Sequence, residues 1–165
     1  MKLSQALSRI APSSTAAMSD RATELRAAGK DIISLSVGEP DFATPGHVIE
    51  AAKASLDRGD TRYTPVTGTL AVREAAALHF ERDLGIKAAP SQVIVSAGGK
   101  QAIFHALCAT LDPGDEVLIP SPWWVSYPEI VRFAGGTVVP LETTPATGYR
   151  ITPAQLDAAI TANTR

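Results

Sequence analysis

Cysteine is almost missing from this chain. Cys108 stands alone, so no intrachain disulfide is possible and no cysteine metal cluster can form. That is the usage of a reducing compartment. The three histidines, His47, His79 and His105, are scattered and none has a partner at metal-ligand spacing, so no metal site is expected. A basic block is also lacking. The formal net charge of −2 gives no footprint for nucleic acid or an anionic membrane. No apolar run approaches the roughly 20 residues that span a bilayer. The first 18 residues, MKLSQALSRIAPSSTAAM, hold Lys2, Arg9 and five Ser or Thr with no acid before Asp20, a weak transit-peptide composition. They lack an apolar signal core and read as an N-terminal arm.

What is present is an ordinary globular composition, 45% hydrophobic and 19% charged over 165 residues, enough for one domain with a real core. The patterning predicts helices over 16–28, ending at Gly29, over 46–58 with Pro45 at its start, and over 69–84, ending at Gly85. DIISLSV (31–37) reads as a short strand. GEPDFATPGH (38–47), with two prolines and two glycines, reads as a boundary. We place residues 1–45 in an arm and part of a small domain, and 46–165 in the first part of a larger one.

A strand–helix alternation follows. Strands are predicted at QVIVS (92–96), EVLIP (116–120) and TVVPLE (137–142). Helices are predicted at 99–111, at 124–135 with Pro128 in its first turn, and after Thr152 as N-cap. Unbroken Val/Ile/Leu strands alternating with helices argue for an α/β fold with a parallel sheet flanked by helices. AIFHALCATL is apolar nearly all round, which predicts a deeply packed helix. The chain stops at Arg165 just after a helix, so the sheet is expected to be incomplete and the chain to be a fragment of a longer protein.

The stretch VSAGGKQAIF (95–104) carries the chemistry. A strand–turn–helix junction leaves the first helical N–H groups unpaired, and the helix dipole adds positive charge there. Gly98 and Gly99 let the backbone approach an oxygen closely, and Lys100 adds a full charge, so the stretch has the makings of a phosphate cup. A tight turn needing glycine for its dihedrals explains the same residues. GxxxxGK[ST] is absent, since Gln101 follows Lys100, and GxGxxG is absent too, which excludes the ATPase loop and the dinucleotide fingerprint.

GEPDFATP (38–45), RYTPVTG (62–68), SAGGKQAIFHAL (96–107) and LDPGDEVLIPSPWWVSYPEIVRFAGG (111–136), in this order and spacing, resemble the class I/II aminotransferases, fold-type I enzymes dependent on pyridoxal 5'-phosphate. Within them the motifs are most similar to the bacterial aspartate/prephenate aminotransferase branch.

The resemblance implies an aspartate aminotransferase-like fold and roles at matching positions. Gly98, Gly99 and Lys100 would bind the cofactor, with the backbone N–H groups of Gly99 and Lys100 on its phosphate. Trp124 would stack on the pyridine ring. Gly38 would meet the substrate carboxylate through its N–H. Tyr63 would reach the phosphate in a partner subunit. Tyr127 would line the pocket or its wall. A lysine beside a phosphate stays charged, the opposite of what nucleophilic attack requires. Lys100 is therefore a charge partner for phosphate or for a substrate's distal carboxylate, and Trp124 shares that substrate contact. No catalytic residue is expected in this chain, because the family's Schiff-base lysine lies further along.

The whole protein would be a cytoplasmic homodimer that moves the amino group of aspartate, or a related amino acid, to 2-oxoglutarate. These 165 residues alone would be inactive. Prephenate, aromatic or alanine aminotransferases share the pattern, as does a non-catalytic module that senses the cofactor. One departure concerns the arm. Relatives handling longer dicarboxylates often carry a basic residue just before its Pro-Ser, and here Ala11 precedes Pro12-Ser13, with Arg9 nearby.

Overall fold

The computed structural model describes residues 2–165. In chain order the regular elements are α1 (Gln5–Ser8), α2 (Ser14–Ala27), α3 (Gly46–Asp57), α4 (Leu70–Leu84), α5 (Gly99–Thr110), β1 (Glu116–Ser121), α6 (Ser126–Ala134), β2 (Thr137–Glu142) and α7 (Pro153–Ala159). Contacts divide the chain into two compact units, one made of the segment up to Val37 with Gly98–Arg165, the other of Gly38–Ala97.

The first unit is built on a parallel pair. β1 and β2 run in register from Glu116 opposite Thr137 to Ser121 opposite Glu142. The chain after α7 returns on the other side of β1. There Glu116 N–H donates to the Asn163 carbonyl at 2.8 Å and Arg165 N–H to the Glu116 carbonyl at 3.0 Å, a single parallel bridge at Thr164. A parallel pair needs a crossover, and α6 supplies it. Pro128 lies in the first turn of α6, where a missing N–H costs nothing, and Pro128, Ile130 and Val131 are buried. Val131, only 1% exposed, forms the centre of a core with Leu111 and Ile119, against which Leu107, Val117, Trp123, Tyr127 and Val138 pack.

Helix ends follow local chemistry. Ser13 Oγ accepts the Ala16 N–H at the start of α2. Thr152 caps α7 as predicted: its Oγ1 accepts the Gln155 N–H at 3.2 Å, and Gln155 Oε1 accepts the Thr152 N–H at 2.9 Å.

In the second unit, α4 ends at Gly85, and its Arg73 guanidinium donates to the carbonyls of Gly68 and Pro90. Gly68 is held at φ +97°, and a Cβ there would meet Val95 Cγ2 at 2.7 Å. Both the dihedral and the close approach exclude any other residue without rearrangement.

Three expectations are corrected. Residues 31–37 form no strand. Ile32, Ser34 and Ser36 are half-buried and alternate with exposed neighbours. Ser36 Oγ bonds to Ser19 and Ser34 instead (3.1 and 2.8 Å). The alternation suits a strand, but among the described residues no neighbouring strand satisfies its backbone. Residues 92–96 also form no strand: Pro90–Gln92 is a 3-10 turn, Gln92 and Val93 donate back into it at Ala89 and Pro90, and Val95 N–H donates to the Thr67 carbonyl at 3.1 Å. Helix α5 is not deeply packed. None of its residues is buried, and Cys108 is exposed. Only Ile103, Phe104 and Leu107 are half-covered, with Phe104 against Phe133 of α6 at 5.4 Å between ring centres.

Two substitutions test this packing. Val131→Ala is expected to lower the unfolding free energy by roughly 2 kcal/mol through lost burial and a cavity. Gly68→Ala is expected to cost more than about 1 kcal/mol through a forbidden dihedral. Urea titration of each variant against the parent measures both.

Candidate functional site

Helix α5 begins at a bare turn. Its N-cap Gly98 has φ +83° and ψ 165°, a region essentially closed to residues with a side chain. The first bond within the helix runs from Ala102 N–H to the Gly98 carbonyl at 3.4 Å. The earlier amides of Gly99 and Lys100 therefore have no intrahelical acceptor. A Cβ built on Gly98 or Gly99 would meet nothing within 4 Å, so the turn faces open space.

The second part of the site comes from the end of β1. After Ser121 the chain passes through a cis bond to Pro122 and then Trp123-Trp124. Thr143 Oγ1 donates to the Ser121 carbonyl and Ser121 Oγ donates to Glu142 at 2.9 Å, tying the two strand ends together. Trp123 goes to the core, while Trp124 stays 44% exposed. Tyr127 meets Trp124 edge to face at 5.4 Å. The Lys100 ammonium lies over the Trp124 ring, 4.7 Å from its centre, in a cation–π arrangement.

The structure thus gathers Gly98, Gly99, Lys100 and Trp124 within the first unit, with Tyr127 packed on the core and perpendicular to Trp124. Gly38 and Tyr63 belong to the second unit. Gly38 has open space where a Cβ would be, and Tyr63 is fully exposed.

Sequence reasoning missed the cavity beside Lys100. It has a volume of about 560 Å³, and its walls are the arm at Ile10–Ser14, Lys100 and Phe104 of α5, and the Val125–Phe133 side of α6. The signal was partial: Pro12-Ser13 marked the arm, but nothing local tied it to α6. Arg9, the basic residue near Ala11, donates to the Phe133 carbonyl at 3.0 Å.

The profile of the family described as aminotransferase class I and II matches residues 30–165. This chain belongs to that family. The aspartate/prephenate aminotransferase of Cereibacter sphaeroides is 51% identical over 99% of this chain and 41% of its own length. The aspartate aminotransferase of Bacillus subtilis is 46% identical over the whole chain and 42% of its own length. Among solved structures, Thermus thermophilus aspartate aminotransferase with maleate superposes at a TM-score of 0.94 with 48% identity, over 100% of this chain and 43% of that one. The chain thus spans about two fifths of the length of these relatives. The fold is the aspartate aminotransferase-like, fold-type I architecture, and the family and fold depend on pyridoxal phosphate.

The aminotransferase-family residues gathered here fit that cofactor. An open turn of unpaired amides at a helix start suits a phosphate ester. A half-exposed indole nearby suits a flat heterocycle, and the Lys100 side chain over that indole adds a cation. Among the described residues no helix is long and apolar enough to cross a membrane.

The contact between Lys100 and Trp124 is testable. A double-mutant cycle of Lys100→Gln and Trp124→Ala, read by chemical denaturation, is expected to give a coupling of about 0.5–1 kcal/mol, as for a partly exposed cation–π pair. A coupling of zero would remove the contact from the site.

Proposed function

We propose that this chain is the cofactor-phosphate half of a pyridoxal-phosphate-dependent aminotransferase. The whole protein moves the amino group of aspartate, or a related amino acid, to 2-oxoglutarate. The observation that carries the reading is the turn at Gly98–Lys100: amides without intrahelical acceptors, facing open space, with Trp124 under the Lys100 ammonium.

In this reading the N–H groups of Gly99 and Lys100 hold the phosphate, and the glycines keep the approach clear of side chains. Trp124 would offer an indole face to the cofactor ring, with Tyr127 perpendicular to it at 5.4 Å between ring centres. Lys100, over the indole, is a charge partner for negative groups and not the nucleophile. Gly38 presents its N–H to the substrate carboxylate, and Tyr63 serves the phosphate of a partner subunit in a homodimer. Pyridoxal phosphate, when bound, supplies the electron sink for labilising bonds at the substrate's α-carbon. No residue of this chain takes the lysine nucleophile's part, so these 165 residues by themselves carry out no half-reaction. The division into residues 1–45 and 46–165, and a place in the cytoplasm, belong to the same proposal.

Aspartate is favoured as donor because relatives at 44–51% identity carry aspartate in their names. A neighbour was also solved with maleate, a dicarboxylate. Relatives named for both aspartate and prephenate keep prephenate as a second reading. Ala11 stands where relatives handling longer dicarboxylates often carry a basic residue, and the nearby Arg9 donates one N–H to the Phe133 carbonyl.

The test uses the intact protein. It is expected to bind pyridoxal phosphate and to convert aspartate and 2-oxoglutarate. Gly98→Ala is expected to weaken cofactor binding at least about tenfold by distorting the amide turn, measured by absorbance titration. An unchanged affinity would place the phosphate elsewhere.

A further inference from the structure

The arm is fastened to α6 by bonds that span more than a hundred residues of sequence. The Ala11 N–H donates to Glu129 Oε2 at 2.9 Å. The other oxygen of the same carboxylate, Oε1, receives the Arg132 guanidinium at 2.5 Å. One turn further along α6, the Phe133 carbonyl accepts Arg9. The Glu129 side chain is 29% exposed, less than its partner Arg132 at 44%. Arg132 thus holds the carboxylate in place while its free edge faces the arm. An ionised acceptor makes the stronger kind of hydrogen bond. Directly beside this fastening is the cavity lined by Ile10–Ser14 on one side and Lys100 and Phe104 on the other.

We propose that Glu129 is a positioning residue. It pegs Ala11 to α6 and so sets the wall that the arm contributes to the cavity beside Lys100. Glu129 touches no reacting atom; it acts through the arm. Arg132 supports it as the second member of the peg. The proposal relies on the aminotransferase reading only for what enters the cavity.

Two readouts on the intact protein separate these layers. The first is amide hydrogen exchange over residues 7–14. Glu129→Ala is expected to raise it about tenfold, the size of a lost hydrogen bond to a charged acceptor, while exchange in β1 and α6 stays at the parent's rate. Glu129→Gln, whose side-chain carbonyl still accepts the Ala11 N–H, is expected to stay within about threefold of the parent. The second readout is kinetic. Glu129→Ala is expected to raise KM for aspartate about tenfold with kcat within about twofold, and Glu129→Gln to restore it, because the lost element is binding-site shape and not chemistry.

Arm exchange unchanged in Glu129→Ala would overturn the proposal, as would Glu129→Gln behaving like Glu129→Ala, or a fall in kcat at constant KM. Where Glu129→Ala does not fold, Ala11→Pro removes the donor hydrogen and leaves α6 intact. It must loosen residues 7–14 in the same way, and unchanged exchange in that variant overturns the proposal equally. If the parent protein neither binds pyridoxal phosphate nor transaminates, the functional reading fails while the exchange results still decide the peg.

Discussion

Trp124 reaches Lys100 because β1 stops where it does. The parallel register of Glu116–Ser121 against Thr137–Glu142 is held by main-chain bonds and sealed by Val131 of α6. Where that pairing ends, the Ser121 carbonyl is bonded by Thr143 and its hydroxyl by Glu142, so the chain cannot drift as it leaves the sheet. The next residues divide their roles: Trp123 fills the core and Trp124 faces out. Ligands of α/β proteins collect outside the carboxyl ends of parallel strands because helix starts with unpaired amides collect there too. Here the start of α5 and the end of β1 bring two features together, an open glycine turn and a half-exposed indole.

Charge organises the same region without a dense ionic network. Lys100 lies over an indole and not against a carboxylate. A cation over a π-face keeps its charge uncompensated by a full anion, so it stays available to attract one. Glu129, close by on α6, is already engaged by Arg132 and by the Ala11 N–H. The local acid is therefore committed to the arm, while Lys100 rests on the indole.

Much of this was legible in the residues. Helix stops at Gly29 and Gly85, the Thr152 cap with its Gln155 partner, Pro128 in a first turn and the two strands 116–120 and 137–142 all depend on neighbours a few positions apart. The turn at Gly98–Gly99 was readable for the same reason. Segments 31–37 and 92–96 look like strands because they are β-branched and apolar. A strand, however, exists only with a partner, and the described residues give neither a ladder. The apolar run 102–111 was read as a buried helix, yet hydrophobicity states only what prefers cover, and among the described residues α6 covers one side of it.

The sequence by itself determined the backbone chemistry of the site: which glycines open the turn, where the helix dipole begins, and which aromatic pair follows the strand. These are local properties of dihedral freedom and unpaired amides. Only the tertiary structure decided that Lys100 rests on Trp124, that Gly38 and Tyr63 fall in another compact unit, and that Glu129 reaches Ala11 across 118 positions. Such contacts depend on where packing brings distant segments together, and no periodicity or spacing along the chain encodes that distance.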